Sequence, residues 1–382
     1  MTFVYFILIL VVLVIIHEFG HFIVAKLSGI CVDEFGIFFP PRIAAIKRGE
    51  TEYSINWLPF GGFVKIFGEN GETNERSPDA LVGVPTSEAE RRNFVNKPRY
   101  VQAAVIVAGI VFNLIFAWLV LSAGYMAGIP TSPGTNTVGT VTNVQVMVTD
   151  VLPSSPAEKS GLLASDQIED IQTATAALDV RSLAQTQNSG AADAVTNFIL
   201  AHQDESVVIT VLRDGQQKTF LAKAAEGIVA GHKAIGVELS DVGTLKLGLP
   251  QALVQGAVLG YDITVSTAQG LATFFKQLIT LTANFNDVSG PIGITVFGAA
   301  TLKQGWVAAA LLTALISINL AIINIIPIPG LDGGRLLIIG IEAVIRRPVN
   351  PSIVMKATMV GFALLILLMV VVSYHDIVRL VG

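Results

Sequence analysis

Four long apolar runs punctuate the chain. The first opens with an unbroken stretch from Phe3 to Ile16 and continues to about Leu27. The others run from about Val101 to Ala127, Trp306 to Ile328 and Thr358 to Tyr374. A helical crossing of a bilayer needs about 20 mainly apolar residues, so the pattern predicts four membrane-spanning helices. Between them the periodicity changes. Arg42–Lys47 and Glu52–Trp57 read as short strands around an Arg-Gly-Glu turn. With the apolar Pro59-Phe-Gly-Gly-Phe-Val-Lys-Ile that follows, they predict a membrane-associated β-hairpin. Residues 68–98 are polar and broken by Asn70-Gly71 and Ser77-Pro78, which predicts a mobile loop.

The stretch 128–250 has the rhythm of a small α/β domain. Val148–Leu152 reads as a strand. Ser155–Gly161 reads as a short helix, with Pro near its start and Gly at its end. Ala192–His202 reads as a helix, and Val207–Arg213 with Gln217–Ala222 as a hairpin turning at Asp214-Gly215. Residues 172–190 read as an insertion. Residues 250–283 mix apolar and polar positions and predict an interfacial amphipathic helix. The expected fold class is a polytopic α-helical membrane protein with a β-hairpin and one inserted α/β domain. The parts are an N-terminal membrane part (1–127), the insert (128–245) and a C-terminal membrane part (246–382).

Composition supports a membrane protein. Of 382 residues 52% are hydrophobic and 14% charged, against about 25% charged in a soluble domain. A net charge of −5 without a basic block leaves no footprint for nucleic acid. The single cysteine, Cys31, excludes a disulfide framework and a Cys-rich metal site, and reads as a small buried residue. No basic residue precedes the first run, unlike a secretory signal. Lys and Arg concentrate in 28–100 and again at Arg335, Arg346, Arg347 and Lys356. Short basic connections stay cytoplasmic. The insert and both termini are then expected outside.

Within the first apolar run stands His17-Glu18-Phe19-Gly20-His21. Histidines at i and i+4 share one helix face and can reach one zinc ion, with the glutamate between them placed as general base. Ionisable groups inside a span are costly and read as functional. A catalytic zinc takes three protein ligands and water. Cys31 is a poor third candidate. Asp332 is a better one, because it follows Pro327, Pro329 and Gly330 at the broken end of the third span and precedes Gly333-Gly334.

These residues resemble the site-2 protease family of intramembrane zinc metalloproteases, and more closely its bacterial branch, the regulator of sigma-E protease (RseP) and its relatives. The likeness covers most of the chain. Its marks are His-Glu-Phe-Gly-His, the hairpin segment Tyr53–Gly68, Lys97-Pro98 with Ala108-Gly109 and Asn113, Ser289-Gly-Pro-Ile-Gly-Ile294, and Asn324-x-x-Pro-x-Pro-x-Leu-Asp-Gly-Gly. Ser154–Leu162 with Leu212–Gly215 resembles a PDZ domain, with Ser165-Asp166 where that pattern usually has Gly-Asp.

The resemblance implies one Zn2+ per chain held by His17, His21 and Asp332, with Glu18 as base. It implies substrate contacts at Asn324, Pro327, Pro329 and Asn113. The partners implied are single-span membrane proteins (anti-sigma factors or signal-peptide remnants), the lipid bilayer and a peptide ligand of the PDZ-like domain. The location implied is the bacterial cytoplasmic (inner) membrane, with the PDZ-like domain outside. Two other readings compete: a non-proteolytic PDZ-bearing scaffold, and a proton or metal-ion transporter using the same polar residues. The full ligand set weighs against the scaffold, and four spans without repeat symmetry weigh against the transporter.

Overall fold

A computed structural model of the chain describes residues 2–69, 86–133, 138–187, 189–213, 215–229, 232–280, 282, 290–303 and 305–381. Contacts divide the chain into two compact units, Met1–Ser122 with Gly256–Gly382, and Ala123–Gln255.

The first unit begins with α1 (Thr2–Leu27), then β1 (Val32–Arg48) and β2 (Thr51–Ile66). The strands start earlier and end later than the short segments read from the sequence. Each bends and pairs twice. Residues 34–37 pair with 52–55 and also with 62–65, while 42–48 pair with 51–56. The result is four rows in the order 42–48, 51–56, 32–37, 62–66, which hydrophobic alternation alone does not reveal.

Next come α2 (Thr86–Arg91), a 3-10 turn at Phe94–Asn96 and α3 (Arg99–Ala127). The polar stretch read as a mobile loop is therefore partly ordered. Asn93 caps the 3-10 turn through its side chain, and Phe94 is buried beneath it. Residues 70–85 of that expectation lie outside the described residues.

The second unit carries β3 (Ile129–Thr131), β4 (Val141–Val151), α4 (Pro156–Ser160), β5 (Gln167–Gln172), β6 (Ala177–Asp179), α5 (Val180–Gln187) and α6 (Ala191–Ala201). It continues with β7 (Ser206–Arg213), β8 (Gln216–Lys223), β9 (Ala225–Val229), β10 (His232–Ala234) and β11 (Val237–Leu245). The main sheet runs β3-β11-β4-β5-β7-β8, with β6 on β5. Helix α4 forms as its residues dictate. Ser155 accepts the Glu158 amide, Pro156 starts the helix and Gly161 ends it at φ 94°. Residues 172–190 are no appendage, because Val180 and Ala184 of α5 are buried in the core with Val146, Ile171 and Val195. Asp214 of the expected turn lies outside the described residues. Ser165, standing where the PDZ pattern has glycine, adopts φ 76°.

The chain then forms α7 (Leu249–Ile279), α8 (Pro291–Lys303), α9 (Trp306–Ile325), α10 (Asp332–Ile345) and α11 (Pro351–Val381). The segment expected to be an amphipathic helix is helical, as α7, and packs by one face on the helical unit while Val254, Val258 and Tyr261 stay exposed. Leu259, Ile263 and Leu271 of α7 lie against a cluster of Ala117 and Leu121 from α3 and Ala314 and Ile318 from α9. Helix α9 stops at Ile325, three residues before the apolar run ends. Pro327 disfavours a helical Ile326, whose ψ is 134°. Helix α11 starts earlier than the run it contains, with Pro351 at its head.

Among the described residues four helical segments are long and apolar enough to cross a membrane: Val4–Leu27, Arg99–Ala127, Trp306–Ile325 and Ser352–Val378. The protein is polytopic.

Candidate active site

His17 and His21 lie one turn apart on α1, and both are buried. Their Nε2 atoms are 3.1 Å apart. Asp332, the first residue of α10, places Oδ2 2.9 Å from His17 Nε2 and 3.3 Å from His21 Nε2. Among the described residues these three form the group of ligand-type side chains close enough to share a metal ion.

Glycines permit this assembly. A Cβ on Gly109 of α3 would stand 2.4 Å from His21 Nε2, and one on Gly20 would stand 2.5 Å from the Ala108 carbonyl oxygen. Helices α1 and α3 thus meet without side-chain clearance. At α10, a Cβ on Gly333 would lie 2.3 Å from the carbonyl oxygens of Ile325 and Ile326, and one on Gly334 2.3 Å from that of Ile328. The first turn of α10 presses onto backbone, which fixes its rotation and aims Asp332.

The donor set fits zinc. Zn–N bonds of about 2.0–2.1 Å in a tetrahedron put ligand atoms about 3.3 Å apart, close to the 2.9–3.3 Å spacings seen here. The hydrogen bonding agrees. His21 Nδ1–H donates to the Val105 carbonyl oxygen at 2.8 Å, which leaves Nε2 of the neutral ring as a lone pair. That lone pair faces a carboxylate oxygen and another imidazole nitrogen. Lone pairs gathered in this way suit a bound cation.

The Asn113 amide lies 3.2 Å from His17 Nδ1 through Nδ2, and its buried Oδ1 has no hydrogen-bond partner among the described residues. The two ends of an amide are alike in shape. Turned over, Oδ1 accepts the His17 Nδ1–H and frees Nε2 for a metal.

Glu18 points toward the row 62–66. A Cβ on Gly62 would lie 3.9 Å from its Cγ, and the Val64 backbone meets its carboxylate.

The structure therefore gathers His17, His21, Asp332 and Asn113 into one bonded cluster with Glu18 beside it. Asn324 sits in the last turn of α9, and Pro327 and Pro329 lie along the connection that delivers Asp332. Two further residues, Ser317 and Arg335, were given no site role by the sequence reading. Ser317 Oγ, fully buried in α9, donates to the Asn113 carbonyl oxygen at 2.8 Å; a serine amid an apolar run was its signal. Arg335 pairs with Glu69, and its signal was a guanidinium three residues past Asp332. Burial holds Arg335 down to about 10, against the opposing influence of Glu18. Cys31 is buried, and burial pushes its thiol up to about 11.

A helical membrane unit with two histidines and an aspartate converging beside a glutamate defines a metallohydrolase housed among spans. Comparison with known proteins agrees. The model of Peptidase family M50 matches residues 5–368, and the chain belongs to that family, the site-2 proteases. It is 28% identical, over 99% of each chain, to zinc metalloprotease RasP of Bacillus licheniformis. It is 27% identical to the regulator of sigma-W protease RasP of Bacillus subtilis and to zinc metalloprotease RasP of Oceanobacillus iheyensis, over 99% of each chain in both cases. The protein is a site-2 type zinc metalloprotease of the membrane, and its metal is Zn2+.

Proposed function

We propose that His17, His21 and Asp332 hold the zinc and that Glu18 is the general base for hydrolysis of peptide bonds in single-span membrane proteins, anti-sigma factors or signal-peptide remnants. The observation that carries this reading is the convergence of three ligand atoms at 2.9–3.3 Å on helices far apart in the chain. When bound there, zinc supplies Lewis acidity to the scissile carbonyl and the attacking water. Glu18 takes the proton from that water and passes it to the leaving nitrogen. Asn113 and Val105 orient the two imidazoles through their Nδ1 atoms.

A substrate helix must unwind before attack, because its amides are bonded internally. The row 62–66 forms an edge of the small sheet beside Glu18, and an unwound segment would add to it as a further strand. Asn324, Pro327 and Pro329 would hold the same segment from the α9–α10 connection.

Residues 128–245 would form the PDZ-like domain, outside the bacterial inner membrane, screening substrates by size or binding a peptide. The outer edge of β11, paired with β3 only along Gly243–Leu245 among the described residues, would take such a peptide. The basic content of 28–100 and 335–356 supports this orientation.

The test is cleavage of a single-span model substrate in detergent by wild type and Glu18→Gln. Cleavage falling about 10²–10⁴-fold with zinc still bound is expected. Cleavage by the variant at the wild-type rate would sink the assignment of the base.

A further inference from the structure

The metal ligand and the substrate edge belong to different parts of the chain, yet they must keep a fixed spacing if one peptide bond is to be cut. Packing supplies part of that spacing. Leu336 and Ile339 of α10 lie in one cluster with Val64 and Ile66 of the edge row. The far end of α10 is held by Glu342, which pairs with Arg99 at 2.7 Å. At the near end, Asp332 and Arg335 stand at i and i+3, on one helix face. The first reaches the histidines. The second reaches Glu69, bonding its carboxylate and, at 3.3 Å, its main-chain carbonyl oxygen.

Glu69 lies three residues beyond the edge row, and the backbone between them is ordered. The Phe67 amide donates to the Cys31 carbonyl oxygen at 3.0 Å, and the Phe94 amide donates to that of Phe67 at 2.9 Å. A guanidinium that grips both a side chain and the main chain fixes position along the strand as well as distance, which an ammonium does not do.

We propose that the Arg335–Glu69 pair is a positioning device that sets the register of the added substrate strand against the metal and so selects the peptide bond that is cut. The inference rests on the reading that substrate adds to the row 62–66. Strand side chains alternate faces, so a substrate that slips keeps its pattern best in steps of two residues.

The experiment maps cleavage of one single-span model substrate by mass spectrometry, for wild type, Arg335→Met, Arg335→Lys, Glu69→Gln and the charge swap Glu69→Arg with Arg335→Glu. Zinc content is measured for each. Arg335→Met and Glu69→Gln should retain zinc, lose about 10- to 100-fold in kcat/KM, and spread their cuts to bonds two residues away. Arg335→Lys should cut as broadly as Arg335→Met. The swap, which keeps an ion pair but gives up the donor to the main-chain carbonyl of residue 69, should leave the cuts as spread as in Arg335→Lys.

An unchanged cut at unchanged kcat/KM in both Arg335→Met and Glu69→Gln overturns the proposal. So does loss of zinc from Glu69→Gln, which would make the pair a support for Asp332. If Arg335→Met does not fold, Glu69→Gln decides alone. Wild type that fails to cut, or Glu18→Gln that cuts normally, is a failure of the underlying protease reading and is seen before the Arg335 variants are compared.

Discussion

Asp332 of the first unit is set differently from the acids held within the second. In the second unit each is answered by protein donors. Asp166, fully buried, takes Arg213 at 2.6 Å and the Leu163 amide at 2.9 Å. Glu169 takes Arg181 and Gln217, and Asp241 takes the amides of Gly190, Ala191 and Ala192. In the first unit Asp376 behaves likewise, accepting the Gly290 and Gly293 amides. Asp332 differs. Its oxygen meets two imidazole nitrogens, one of them a lone pair by its own hydrogen bonding. A buried acid answered by donors holds structure together. One set among acceptors suits a cation.

The sharpest way to break this contrast is to neutralise one acid of each kind. Asp332→Asn should abolish stoichiometric zinc and cleavage together, while thermal unfolding without zinc stays near that of the metal-free wild type. Metal analysis and calorimetry on the full chain check both. Asp166→Asn should do the reverse. It takes from Arg213 its carboxylate counter-ion and should cost about 3 kcal/mol, read as lost hydrogen-exchange protection in β5 and β7, with zinc content untouched. If Asp166→Asn emptied the metal, or Asp332→Asn unfolded the second unit, the contrast would be false.

Smaller effects sharpen it. Ser165 at φ 76° occupies a backbone region that disfavours side chains. Ser165→Gly should stabilise the second unit by about 1 kcal/mol, seen as slower exchange in the same strands.

Smaller again is the effect at Glu50, in the hairpin turn. Burial pushes its carboxyl up, but Lys26, at 2.5 Å, and Arg92 more than reverse this and hold it below the ordinary 4.5. A depressed carboxyl stabilises above its unfolded value and loses that contribution as pH falls through the folded one. Glu50→Gln should therefore cost below about 1 kcal/mol near neutrality. The difference from wild type should vanish in acid, as a pH series of melting curves would show.

Much of this was legible in the sequence, for identifiable reasons. Apolar length gives away spans, and the i, i+4 histidines declare themselves because, with Glu18 between them, they interrupt an otherwise apolar stretch of α1. Helix α4 could be read residue by residue from Ser155 to Gly161. What could not be read depends on contacts distant in sequence. The double pairing of β1 and β2 leaves no mark in their alternation. The amphipathic pattern of α7 could be read, but not which elements, α3 and α9, its packed face meets. The 172–190 stretch is polar enough to pass for an insertion, although Val180 and Ala184 anchor it in the core. The meeting of Asp332 with α1 could be argued from a missing ligand, but its distances came only with the fold.

The doubled hairpin has a practical consequence. One outer row lies beside Glu18, while the other, 42–48, is exposed and carries Ile43 and Ile46, with Ile55 and Trp57 exposed nearby. A detergent belt sized only for the four helices leaves this apolar fringe wet. Solubilisation must coat the hairpin as well, and a preparation stripped too far presents a greasy β-edge ready to pair with the next molecule.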